Sequence, residues 1–342
     1  MSRKISAIFI SIIALLACAT TFETPARQAQ PVMYQEARRL MWTKFEIIGY
    51  GPDRARLAEA AEAAFEEIDR LDRQMSNYSE NSELTYINRN AAREDVIVEK
   101  GLFDLLKLSL DYNRATAGAF DITVGPLMRA WGFFNDNGRV PDASELSSVV
   151  ARVGSKHVKL NQQARTIRFD REGVELDLGG IAKGYAVDRA AAILRESGVT
   201  SALISSGSSS ICAIGAPPKQ AAWRVQVSDP TDRSKTLTTV ELKDESISTS
   251  GCHEKTFKAG GKTYCHIMDP RTGHPIEGML GATIITPLGV EAEALSKAAM
   301  LNGIEWTKQF AKKRADVRAI LYYSGQDGKL GSTQIGFLKE RP

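Results

Sequence analysis

The chain has 342 residues, 43% of them hydrophobic and 25% charged, which is ordinary globular usage and excludes a disordered or fibrous protein. Its net charge is +3 with both signs interspersed, so no basic stripe exists for DNA or RNA and nucleic acid is excluded as a partner.

The first element is an export signal over residues 1–17. Arg3 and Lys4 form a short basic start, and the apolar run from Ile5 to Ala17 is too short for a comfortable membrane span. It ends in Leu15-Leu16-Ala17-Cys18, which resembles a bacterial lipobox, so Cys18 is expected to become the lipidated first residue and to anchor the chain on the periplasmic side of the inner membrane. The alternative is an ordinary cleaved signal beside an incidental cysteine. Residues 18–36 read as a polar tether and 37–342 as one compact unit, without a repeat at a fixed period.

WTKFEIIGYG then predicts a strand, and RARLAEAAEAAFEEIDRLDRQM a long amphipathic helix with Leu57, Ala61, Ala64, Phe65, Ile68 and Leu71 on one side. A short helix follows in SNYSENSELTYIN and another in VEKGLFDLLKLSLDYNRAT. AGAFDITVGPLMRAWGF is apolar, but Gly125-Pro126 interrupts it and favours a loop with a short helix. A hairpin and strand end at residue 180, the helix YAVDRAAAILRESG follows, and at least five further strands lead to a helix over 290–314 and a last strand, AILYYS. Strands in hairpins mixed with helices predict an α+β fold with largely antiparallel sheets.

Cys212, Cys252 and Cys265 remain besides Cys18, so at least one thiol is unpaired. If Gly260-Gly261 forms a two-residue hairpin turn, Cys265 faces Thr256 and Cys252 lies level with Asp269, which leaves the two cysteines unbridged unless a bulge shifts the register. The same register sets Lys255 across from His266, with His253 and Met268 beside them. A lysine so placed favours neutral histidine, the form a general base needs; the pair is equally compatible with ordinary cross-strand polar partners.

Residues 177–184, DLGGIAKG, put an acid, two glycines and Lys183 at a strand-to-helix junction. The unpaired amides of a helix start attract anions, and glycine lets an anion approach closely. The spacing is neither a Walker loop nor a dinucleotide turn, and by itself it also suits a plain turn.

MSNYSENSEL, AGAFDITVGPLMRAWGF, DLGGIAKGYAVD, ISTSGCHEKTF and YCHIMDPRTGHPIEG, taken together and in this order, resemble the ApbE family of FAD:protein FMN transferases over roughly residues 41–303. The resemblance implies an enzyme, often lipid-anchored in the periplasm, that uses FAD and a hard divalent cation such as Mg2+. It moves FMN onto a threonine hydroxyl of an exported acceptor protein and releases AMP. It further implies flavin or nucleotide contacts at Met41, Tyr78, Ala119, Phe120, Asp121, Asp177 and Lys183, a reaction-centre role for His266, and a metal position formed by Gly180, Glu293, Ser296 and Lys297; the hairpin register adds Lys255 to the reaction centre and Met268 to the flavin contacts.

Two stretches depart from the family pattern. Where the family usually carries Ala-Asp-Ala-Leu-x-Thr, this chain has Ala292-Glu293-Ala294-Leu295-Ser296-Lys297, and an ammonium cannot ligate a metal. Ser205 to Ser210 replace an Asn-x-Gly-Gly run. The first departure motivates one alternative, a flavin-binding lipoprotein that has lost transfer; a further alternative is an FAD pyrophosphatase, with water in place of the threonine.

Overall fold

The computed structural model describes residues 30–134, 137–252, 255–325 and 329–337; the signal, Cys18 and His253 lie outside them. In chain order come strands β1 (Val32–Leu40) and β2 (Thr43–Gly51), helices α1 (Arg54–Met75) and α2 (Glu83–Asn90), and the short strand β3 (Val96–Ile97). Helices α3 (Lys100–Ala115), α4 (Gly125–Ala130) and α5 (Ala143–Val150), strands β4 (Val158–Asn161) and β5 (Thr166–Phe169), and helix α6 (Ala182–Glu196) follow. Seven strands fill the region to residue 265: β6 (Ala202–Ser206), β7 (Ser210–Ile214), β8 (Trp223–Ser228), β9 (Thr236–Leu242), β10 (Ser246–Gly251), β11 (Thr256–Ala259) and β12 (Lys262–Cys265). The chain closes with β13 (Met279–Thr286), α7 (Gly289–Lys313), β14 (Arg318–Ser324) and β15 (Leu330–Ile335).

An eight-stranded sheet in the order β1-β2-β6-β7-β10-β13-β14-β15 forms the centre, every neighbouring pair antiparallel. Period-two alternation splits its middle strands between two cores. Ala282, Ile284 and Leu321 pack with α7, while Ile285, Ile320 and Tyr322 pack with Trp223 and Val240 of the β8–β9 hairpin. Burial on both faces explains why β13 shows no apolar–polar alternation, with every residue from Gly281 to Thr286 buried. Helix α1 forms as expected: Asp53 caps it by accepting the Ala55 N–H at 2.8 Å, and its apolar face from Leu57 to Leu71 is buried. The α+β expectation holds.

One boundary moves. Residues 32–36, read from the sequence as tether, belong to β1, an edge strand whose one buried side chain is Tyr34, so its alternation is too weak to see. Its turn to β2 is Met41-Trp42, both at positive φ (46° and 61°), a conformation unusual without glycine.

Candidate active site

Helices α6 and α7 cross where Gly184 meets Gly289. A Cβ on Gly184 would lie 2.3 Å from the Gly289 carbonyl oxygen, so the backbones approach this closely only because no side chain intervenes. Asp188 of α6 accepts N–H bonds from Gly289 (2.7 Å) and Val290 (2.8 Å) at the start of α7, and Glu293 of α7 accepts the Gly184 N–H in return. Each carboxylate thereby satisfies amides at the positive end of the other helix. Burial pushes the Asp188 carboxyl up to about 6, against the pull of those two amides.

The four residues expected at a metal position converge on this crossing. The other oxygen of Glu293 meets the Lys297 ammonium at 3.2 Å, one helical turn on, as the i,i+4 spacing allows. The Ser296 hydroxyl lies 2.6 Å from that of Ser250 on β10 and donates to the Glu293 carbonyl at 2.8 Å. Gly180 completes the group: a Cβ there would sit 3.8 Å from Lys297 Cε and 3.5 Å from the Phe120 ring. Lys183, three residues on, reaches the Ser209 hydroxyl at 3.0 Å in the turn between β6 and β7.

Asp177 stands just before this junction. Its N–H donates to Ile122, and its carboxylate accepts the Gly179 N–H at 2.8 Å. Burial raises its carboxyl above the usual carboxylate range; the Gly179 amide and the Lys255 and Arg129 cations pull it back down. Asp121 behaves differently. Its oxygens accept from Thr123 N–H and hydroxyl, Ser155 N–H and hydroxyl, and the Asn113 amide, all within 3.0 Å. Five donors exhaust a carboxylate's roughly four lone-pair directions, so Asp121 clamps the AGAFDIT loop and has nothing left for a nucleotide. Ala119 is buried in the same core as Phe120.

The β11–β12 hairpin has the predicted register, with Cys265 opposite Thr256. The His266 N–H donates to the Lys255 carbonyl at 3.1 Å, and its ring Nδ1 reaches the same oxygen at 3.3 Å. A carbonyl only accepts, so in the neutral ring Nδ1 carries the proton and Nε2 the lone pair. Met268 turns away into a core with Trp131, Leu127 and Phe133, a packing residue rather than a flavin contact.

The cysteine expectation is overturned: Cys252 and Cys265 form a disulfide, with Cα atoms 5.1 Å apart. The register was correct, but Cys252 does not continue β11. It follows the end of β10, with its N–H on Leu280, so extending the hairpin back to residue 252 put it in the wrong place. Cys212 is a buried free thiol. Closing a loop with a sequence separation of 13 is worth about 3 kcal/mol. The C252S/C265S variant is accordingly expected to melt at a lower temperature than wild type, because the bridge ties the His266 hairpin to the end of β10. Equal melting temperatures with and without the bridge would contradict that.

Aromatic rings mark the outer rim. Tyr78 lies 5.6 Å from Trp42 and 5.9 Å, edge-on, from Phe134, while Arg129 stands 4.8 Å over Phe134 and makes a two-pronged ion pair with Glu175. Met41, beside Trp42 in the strained turn, is fixed by its N–H on Asp72 at 2.7 Å. Trp42 and Tyr78 are both exposed, which leaves flat apolar surface for a ring system to cover.

The ApbE family model matches residues 41–321, from the tip of the β1–β2 turn to β14. The chain belongs to the ApbE family. A Klebsiella pneumoniae FAD:protein FMN transferase is 32% identical over 88% of this chain and 87% of that protein, and one from Escherichia coli K12 is 29% identical over 88% and 89%. Among solved structures, the ApbE protein of Thermotoga maritima superposes with a TM-score of 0.79 at 29% identity, covering 88% of this chain and 96% of that one. The flavin transferase ApbE of Vibrio cholerae gives 0.77 at 26%, covering 89% and 97%.

Within this ApbE-family chain, a resident hard cation does not fit the residues present. Such an ion takes about six oxygen ligands. Here one Glu293 oxygen holds the Gly184 amide and the other an ammonium, Ser296 is bonded to Ser250 and to its own helix, and Lys297 repels a cation. The Mg2+ expected from the resemblance is therefore not carried into the chemistry below. Sequence reasoning missed Asp188, although it lies one turn after Gly184 inside a quoted motif; the signal available was that i,i+4 spacing.

Proposed function

We propose that this chain transfers FMN from FAD to a threonine hydroxyl of an exported acceptor protein and releases AMP. The carrying observation is the geometry at His266: the Lys255 carbonyl meets the ring Nδ1 at 3.3 Å, which sets the neutral ring with its proton on Nδ1 and its lone pair on Nε2. Likeness to transferases along nearly their whole length supports the same reading.

In the reaction, the threonine oxygen attacks the FMN-side phosphorus and a new P–O ester bond forms. The anhydride P–O bond breaks, and AMP leaves with that electron pair. The threonine proton passes to His266 Nε2. Asp177 and Phe120 orient the nucleotide, Lys183 stands at the helix start for the phosphates, and the Trp42–Tyr78 rim covers the isoalloxazine. Incubating the soluble chain with FAD and a threonine-containing acceptor peptide tests this: peptide gaining FMN with matching AMP supports transfer. AMP with free FMN supports a pyrophosphatase, and bound intact FAD alone supports a binder.

The lipobox reading places the enzyme on the periplasmic side of the inner membrane, held through lipidated Cys18. No helix among the described residues is long and apolar enough to cross a membrane. Cys18→Ser is expected to move the mature chain to the soluble fraction. Continued membrane fractionation of signal-cleaved Cys18→Ser protein would contradict the anchor.

A further inference from the structure

We propose that Lys297 is itself the cation of this site: its ammonium, held by Glu293, stands where a divalent metal would meet the FAD pyrophosphate, so that FAD binds without a resident metal. The inference deepens the FMN-transfer reading and rests on it for the identity of the ligand.

Three observations carry it. The Lys297 side chain is only 20% exposed and is drawn onto a carboxylate that is 1% exposed, whereas a solvated helix lysine would leave its ammonium in water. The arm passes Gly180, the residue at the glycine-rich junction, where a Cβ would come within 3.8 Å of Lys297 Cε. Glu293 is braced from behind by the Gly184 amide, so the ion pair is anchored to the start of α6, next to the Lys183 ammonium, a second cation on the same junction. The chemistry is consistent, because a lysine ammonium is a compact point charge that binds phosphate oxygens well. It moves no proton in the step above; it neutralises charge on the bridging and leaving oxygens as AMP departs.

The test is FAD titration by flavin fluorescence in excess EDTA and in excess Mg2+, with transfer to the peptide followed separately. Wild type is expected to bind FAD equally in both. Lys297→Met is expected to weaken binding in EDTA about ten- to a hundredfold, the range for a charge-assisted hydrogen bond. E293Q/K297M, which removes both charges and leaves no unpaired carboxylate, is expected to show the same loss if the single variant is unstable. E293D/K297T adds one hydroxyl oxygen and releases the carboxylate from the ammonium, and is expected to bind FAD tightly only with Mg2+. Wild-type binding that disappears in EDTA, or Lys297→Met with unchanged affinity, overturns the proposal. Metal-independent binding that depends on Lys297 but yields no FMN-peptide upholds it and sinks the transferase reading. Transfer that requires Mg2+ and ignores Lys297 does the reverse.

Discussion

Replacing His266 by glutamine is expected to lower FMN transfer by about 10²–10⁴, the range contributed by a general base, while leaving FAD affinity nearly unchanged. Glutamine preserves the contact that positions the side chain, since its amide can donate to the Lys255 carbonyl as Nδ1 does. What it lacks is a nitrogen lone pair able to take the threonine proton. The loss therefore isolates proton transfer from binding. It should shrink as pH rises and hydroxide takes over the proton, a trend that a purely structural role for His266 would not produce. Single-turnover transfer within about tenfold of wild type, with a parallel pH profile, would assign the base elsewhere.

Hairpin register is fixed by the Gly260-Gly261 turn, so Lys255 and His266 could be paired on paper and do pair. The disulfide could not, because it depends on where the chain leaves β10, a tertiary fact invisible in the hairpin. The face shared by Glu293 and Lys297 followed from 3.6-residue periodicity. The direction of Asp121 did not: a Phe-Asp pair has the same letters whether its carboxylate faces a ligand or, as here, Thr123, Ser155 and Asn113. The close approach of Gly184 to Gly289 needed two helices 105 residues apart in sequence to be placed side by side, and no local pattern announces that.

That approach makes Gly184→Ala a substitution expected to cost stability and the site together. On an isolated helix, alanine would gain about 1 kcal/mol over glycine. At this crossing the new Cβ would lie 2.3 Å from the Gly289 oxygen, 2.7 Å from its carbonyl carbon and 2.9 Å from a Glu293 oxygen. The first two are backbone, so a rotamer change cannot relieve them and the helices must separate. Overpacking of this kind costs about 3 kcal/mol, which outweighs the propensity gain. Separation also draws Glu293 from the Gly184 amide and Asp188 from the amides of Gly289 and Val290, so buried carboxylates lose donors that offset their desolvation. The melting temperature is expected to fall by roughly 5–10 °C. FAD affinity should fall with it, since the Glu293–Lys297 pair rides on the displaced helix. Gly180→Ala supplies the contrast: its nearest neighbours are side-chain atoms at 3.5 Å and beyond, ordinary contact distance, so it should melt close to wild type. Equal melting temperatures for the two variants would mean that the helix crossing yields without cost, and that the bracing carboxylates do not fix the site.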